Sequence, residues 1–116
     1  MSNPRYMPRS FVIPPRDFGR RKPTDWREPD SSWTPLEIAQ LEASQLQHQI
    51  AYGIVEEYLP HSEFRTITGL AAHLEMPYDR LQRMLNGRIV MALEDISRLR
   101  KLIGTPLDEW MRSADM

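Results

Sequence analysis

Residues 66–88, with the sequence TITGLAAHLEMPYDRLQRMLNGR, contain two short helical segments separated by a tight turn. The first segment has an apolar face that includes the small Ala71, where a second helix can cross closely. Met76 fills the turn. Leu81 and Met84 lie on one face of the second segment because they are three residues apart. This spacing predicts a helix-turn-helix.

The second segment of this pair has a polar outward side. Its outward side chains are Tyr78, Asp79, Gln82, Arg83 and Asn86. Arginine, glutamine and asparagine match the donors and acceptors that base edges present in the major groove of DNA, so we expect an exposed recognition helix. The competing interpretation is that leucine and methionine at helical spacing only pack short helices together, and that the motif contacts protein.

A long helix is predicted before the motif. Thr34 is a favourable N-cap, Pro35 suits the first helical position, and Glu37 completes a capping box. The helix continues to Leu59, because Pro60 ends it. It has four acidic residues and no lysine or arginine. Its core-facing stripe has a period of 3.6 and consists of Leu46, Ile50, Ile54 and Tyr58, with Val55 and Leu59 beside them.

Two more helices are predicted after the motif. Residues 93–103 form a helix that Gly104 closes, and Thr105 caps a last short helix with Pro106 in its first turn. No segment alternates polar and apolar residues over the length of a strand. The predicted fold class is therefore all-α, with four or five compact helices, a long first helix and an extended N-terminal arm.

The arm, residues 1–32, differs from the rest in composition. It contains six of the ten prolines, with seven basic and four acidic residues. Such a segment cannot keep a helix and has few aliphatic residues to bury, so we expect it to be extended or disordered. Its GRRKP sequence is similar to basic cores that lie in narrow minor grooves, which makes Arg20, Arg21 and Lys22 candidate minor-groove residues. A solvated basic tail is the alternative.

Composition excludes several classes of site. The 116-residue chain has no cysteine, which excludes disulfides and cysteine zinc sites. No apolar run approaches the roughly 18 residues of a membrane span, and no secretory signal is recognisable, so we expect a cytoplasmic protein that does not bind membranes. The three histidines are scattered, and neither a phosphate-binding glycine loop nor a serine elbow is present. We therefore expect no metal, no cofactor and no enzymatic activity.

The motif resembles the Cro and lambda-repressor type of helix-turn-helix transcription regulators, the xenobiotic-response-element family, over residues 50–112. The resemblance depends on LAAHL, on L-x-x-M in the second helix, on NGR at its end and on MALEDISRLRKLIGTPLDEW. It implies a lambda-repressor-like DNA-binding domain at residues 33–112 and a tail at residues 113–116. It also implies that Tyr78, Asp79, Gln82 and Arg83 face bases, while Thr66, Asn86 and Arg88 approach phosphates.

Two residues depart from the pattern of this family. Glu75 occupies the turn position usually held by glycine, where left-handed backbone costs a non-glycine residue about 1 kcal/mol. Ile67 replaces a glutamine that often begins the first motif helix and supports DNA contacts. On the reading face, Asp79 repels phosphate but can accept a hydrogen bond from the N4 amino group of cytosine.

The expected function is sequence-specific binding of double-stranded DNA, by a transcriptional repressor of phage, mobile-element or antitoxin type. A helical domain of ~65 residues is marginal alone, and many helix-turn-helix proteins bind as two-fold dimers, so we expect a homodimer on an inverted-repeat operator. Candidate interface residues are Trp110, Met111 and the first half of the long helix. The alternative is a protein-interaction adaptor in which the arm and the acidic helix bind a protein partner and the motif is a scaffold.

The net charge of −1 does not exclude DNA, because the charge is unevenly distributed. It is +3 in residues 1–30, −4 in residues 34–59, +1 in residues 60–92 and −1 in residues 93–116. The acids are concentrated outside the motif. We expect few phosphate contacts and a modest dependence of affinity on salt, unless the basic arm also engages DNA.

Overall fold

A computed structural model describes residues 6–22 and 24–113. In this part the chain forms five α-helices and one two-stranded antiparallel ribbon. The helices are α1 (Pro35–Tyr52), α2 (Ile67–His73), α3 (Tyr78–Leu85), α4 (Leu93–Ile103) and α5 (Thr105–Ser113). The strands are β1 (Val12–Ile13) and β2 (Asp25–Trp26), with Val12 opposite Trp26. The prediction of a mostly helical protein is confirmed, and the ribbon is too short for alternation to reveal it.

The start of α1 is set by the predicted capping box. The Glu37 N–H donates to Thr34 Oγ1 at 3.1 Å, and the Thr34 N–H donates to Glu37 Oε1 at 3.0 Å. Beyond its last residue, α1 widens into a π-helical segment, Gly53–Tyr58, and then tightens into a 3-10 turn, Leu59–His61. The helical run therefore passes Pro60, which lies within the 3-10 turn, and ends one residue later at His61.

A close contact between α5 and the end of α1 closes the domain. Gly53 lies against the ring of Trp110, and a Cβ atom on this glycine would overlap that ring. Trp110 and Met111 both pack against the core of the same chain. These two candidates for an intermolecular interface are thus used inside the domain, because the absent side chain of Gly53 leaves room for the indole.

The core joins all five helices to the arm. Its fully buried side chains include Ile50 of α1, Ile54 of the π-helical segment, Leu70 of α2, Leu81 and Met84 of α3, Leu99 of α4 and Leu107 of α5. Val12 and Phe18 of the arm, each 1% exposed, belong to the same cluster. The arm, which we expected to be extended or disordered, packs against the core over these residues. Prolines exclude only an α-helix there, and two 3-10 turns, Pro8–Phe11 and Pro15–Asp17, lead these side chains into the core.

Gln47 of α1 is buried and holds the chain that follows α3. Its Nε2 donates to the carbonyl oxygens of Met84, at 2.8 Å, and Ile89, at 2.9 Å. Its Oε1 accepts from the Met91 N–H at 2.9 Å. One amide group thus satisfies three buried backbone groups.

His48, the next residue of α1, holds the arm. Its Nδ1 accepts from the Gly19 N–H at 2.8 Å, and its Nε2 lies 3.2 Å from Thr24 Oγ1. The ring of Phe18 meets the imidazole edge-on, with 5.4 Å between the ring centroids. Burial lowers the pKa of His48 to about 4, and the charge of Lys22 adds to the shift. The imidazole is therefore neutral at neutral pH, which lets Nδ1 act as an acceptor.

One arginine of the motif has a structural role. Arg80 of α3 makes a bidentate ion pair with Asp95 of α4, with N–O distances of 2.7 and 2.8 Å. Asp95 is 2% exposed and also accepts from the Ala92 N–H at 2.9 Å. Burial acts to raise the pKa of Asp95, but the hydrogen bonds from Arg80 and Ala92 hold it below its ordinary value. Arg80 therefore fixes α3 against the start of α4.

Candidate nucleic-acid interface

The turn between α2 and α3 fixes the angle at which α3 leaves the core. Thr66 caps α2, since its Oγ1 accepts from the Gly69 N–H at 3.1 Å, and its hydroxyl hydrogen is left to donate outward. Glu75 has φ 55°, so the left-handed conformation predicted for this residue is confirmed. The Met76 N–H then donates to the Ala71 carbonyl at 3.0 Å, which closes the turn.

α3 has one buried side and one exposed side. Leu81 and Met84 are fully buried, and Leu85 is 5% exposed. The residues predicted to face bases are all exposed: Tyr78, Asp79, Gln82 and Arg83. Neither of the two ion pairs within residues 6–22 and 24–113 involves Asp79 or Arg83. The polar side of α3 is therefore open to a ligand.

The exit of α3 is where the arm docks. Gly87 has φ 77°, and a Cβ atom there would lie 2.6 Å from the ring of Phe18 and 2.9 Å from Cβ of Arg9. The Arg9 N–H donates to the Gly87 carbonyl at 2.9 Å. Asn86 Oδ1 accepts from the Arg88 N–H at 3.2 Å, which leaves the amide NH₂ of Asn86 as a donor. Glycine is needed here both for its backbone angle and for the close approach of the arm.

Four arginines meet at this exit around an open pocket of about 160 Å³, which we call the arginine pocket. Its lining residues are Arg9, Arg16, Arg20, Asn86 and Arg88. The lining contains no carboxylate, and the two ion pairs in the described part of the chain involve none of these arginines. The pocket is therefore a concentration of positive charge and hydrogen-bond donors.

The structure gives the three arm residues predicted to bind the minor groove different surroundings. Arg20 lines the arginine pocket and, together with Arg21 and Asp17, a wider opening of about 430 Å³ beside it. Lys22 turns toward α1, where its Nζ lies 5.7 Å from the centroid of the Tyr52 ring. Only Arg20 thus joins the predicted phosphate-binding residues at the exit of α3.

Sequence reasoning missed Arg9 and Arg16 as members of this site. They lie seven residues apart in two different 3-10 turns, so no helical or strand periodicity relates them. Their convergence with Arg88 follows from the burial of Phe18 and from the bond between Arg9 and Gly87. The only local signal is the high arginine content of the arm.

Comparisons of this chain with protein-family models, with characterised proteins and with solved structures give no significant match. None of the helices in residues 6–22 and 24–113 combines the length and the apolar character that crossing a membrane requires.

Proposed function

We propose that this protein binds double-stranded DNA sequence-specifically, as a lambda-repressor-like regulator that inserts α3 into the major groove. The observation that supports this most is the division of α3 into a fully buried side and an exposed polar side. Recognition helices need both: a rigid seat on the domain, and side chains that reach base edges. The ion pair between Arg80 and Asp95 adds to the rigidity of that seat.

The exposed side chains of α3 match specific base chemistry. An arginine such as Arg83 donates two hydrogen bonds to guanine O6 and N7, and a glutamine such as Gln82 pairs with adenine N6 and N7. Asp79 can accept from the cytosine N4 amino group. Each good bidentate pair discriminates against a wrong base by about 1–3 kcal/mol. Three such residues on one helix suffice for a short half-site.

A homodimer on an inverted-repeat operator completes the proposal. Two copies of α3 would then enter successive major grooves about 34–36 Å apart. The first half of α1 is available for this contact, because Leu36 is 56% exposed and Ile38 is 37% exposed. A protein that remains monomeric on its selected DNA, measured by sedimentation, would contradict the dimer.

The proposal is tested by selecting bound sequences from a random DNA pool and then measuring affinity for the selected site. Arg83→Ala should weaken the binding free energy by about 1–3 kcal/mol per half-site and relax the sequence preference at one base pair of each half-site. Arg112→Ala is the matched control, since it removes the same charge from an exposed position on α5, a helix that packs against α1 and α4. The control should retain both affinity and preference.

The exposed apolar pair on α1 also favours the second candidate, a protein-interaction adaptor. Leu36 and Ile38 flank the acidic Glu37 on a helix that has no basic residue. Full operator binding by Arg83→Ala, or no enrichment of any DNA sequence, would favour this adaptor over a DNA-binding regulator.

A further inference from the structure

We propose that the arginine pocket binds phosphates of the DNA backbone beside the recognition helix, so that the arm acts while folded on the domain. This inference rests on the proposed function, because it assigns the arm to the same DNA that α3 reads. The ligand chemistry is a phosphodiester oxyanion. The arm therefore supplies affinity, and α3 supplies sequence preference.

The charge of the pocket favours an anion. Three arginines of the arm line the pocket together with Arg88; its lining includes no carboxylate, and the neighbouring carboxylate, Asp17, lines the wider opening beside it. Like charges that folding brings together repel one another unless a counter-charge binds among them. Arginine is suited to phosphate, because its planar fork donates two parallel hydrogen bonds to an oxyanion.

The size and polarity of the pocket suit a phosphate group. Its volume of about 160 Å³ is well above the ~10–15 Å³ that one water requires. Asn86 offers only its NH₂ group, because its Oδ1 already accepts from the Arg88 N–H. Every polar side chain of the lining can therefore donate to the same anion.

The arm is held at two points among its pocket arginines, which positions them before DNA arrives. Before Arg16, the Arg9 N–H is bonded to the Gly87 carbonyl. Between Arg16 and Arg20, Phe18 is 1% exposed and the Gly19 N–H is bonded to His48. Such preorganisation reduces the entropy lost on binding.

The position of the pocket relative to α3 selects the backbone as its target. Asn86 and Arg88 follow directly on the last residues of α3, and the arm packs against them. When a recognition helix lies in the major groove, the groups at its end meet the phosphates that border the groove. Insertion of GRRKP into a minor groove would instead require its side chains to point together, whereas Lys22 lies over Tyr52.

The test is the salt dependence of binding to the selected operator by Arg16→Ala/Arg20→Ala. Each phosphate contact contributes a slope of about 0.9 in log affinity against log salt for duplex DNA. Loss of two contacts per protomer should reduce the slope by about 1.8 per half-site, or about 3.6 for a dimer on its operator, so that raising salt fourfold weakens the variant about 150-fold less than the wild type. Preference among operator sequences should be unchanged.

The matched control is Lys101→Ala/Arg112→Ala, which removes two exposed positive charges from α4 and α5. In this control, the slope of log affinity against log salt should change by much less than in the arm variant. Arg16→Lys/Arg20→Lys should keep most of the slope, since the charges remain. The difference in tryptophan fluorescence between each variant and the same variant with Trp26→Phe verifies that the arm stays docked, since Trp26 pairs with β1.

Each failure is distinguishable. If Arg83→Ala relaxes preference but the arm variant retains the wild-type slope, the pocket does not bind phosphate and the proposed function stands. If the arm variant instead loses preference for A·T-rich flanks, the arm enters the minor groove and the pocket assignment is overturned. If the wild type enriches no DNA sequence, both proposals fail.

Discussion

The arm and the helix-turn-helix are fastened to adjacent residues of α1 by different chemistry. The chain after α3 depends on Gln47, a neutral amide that makes three hydrogen bonds and does not titrate. The arm depends on His48, whose acceptor nitrogen is lost when the ring is protonated. The two halves of the proposed DNA surface should therefore respond to different perturbations.

Removing the hydrogen bonds of Gln47 should have the largest effect on stability. Gln47→Leu leaves the Met91 N–H and the Ile89 carbonyl without their partner, and leaves the Met84 carbonyl with only a long bond from the Gly87 N–H at 3.4 Å; each unpaired group costs about 1–3 kcal/mol. We expect unfolding free energy to fall by about 3 kcal/mol or more, measured by urea denaturation. Gln45→Ala, at a half-buried position on the same helix, is the control and should change stability by no more than about 0.5 kcal/mol. Equal stability of Gln47→Leu and wild type would contradict the proposed role.

The His48 side should be sensitive to pH. The pKa of His48 is 6.5, its ordinary value, in the unfolded chain and about 4 in the folded protein. The unfolded state therefore binds the proton more tightly. The contribution of neutral His48 to the free energy of unfolding is complete above pH 6.5 and falls as the pH drops toward 4. The loss amounts to about 3 kcal/mol at most. His48→Asn should flatten the profile in this window, whereas His61→Asn, at an exposed position, should preserve it.

Below pH 4, stability depends on a different group, Asp95. The pKa of Asp95 lies below its ordinary value of 3.8, so the ion pair with Arg80 is retained while His48 titrates. Between pH 6.5 and 4 the arm should consequently loosen before the α3–α4 contact does. If the part of the near-ultraviolet circular dichroism that Trp26→Phe removes is lost at the same pH as global unfolding, the two regions are not separable.

The smallest expected effect concerns the turn within the motif. Glu75→Gly relieves a left-handed backbone at φ 55° and should raise stability by up to about 1 kcal/mol, seen as a higher Tm. Glu28→Gly, exposed and outside the helices, should give no such gain. A lower Tm for Glu75→Gly would mean that the Glu75 side chain contributes more than the strain costs.

Much of the helical framework was predictable because its signals are local. The cap at Thr34, the left-handed Glu75 and the exposed side of α3 follow from residues within a few positions of one another. The candidate site was predictable only in part, since Arg9 and Arg16 reach Arg88 across more than 70 residues of chain. The burial of Gln47 and His48 gave no sequence signal, because polar residues at such positions ordinarily face water.

By itself the sequence determined where helices begin and end and which side of α3 is polar, since capping and helical periodicity act over one or two turns. Only the tertiary structure decided that the arm packs, that Arg80 is paired with Asp95, and that the arm arginines gather at the exit of α3. Those outcomes depend on contacts between distant segments. They arise because burial of apolar arm side chains such as Phe18 and Val12, together with the hydrogen bonds to Gly87 and His48, offsets the conformational freedom that the arm loses.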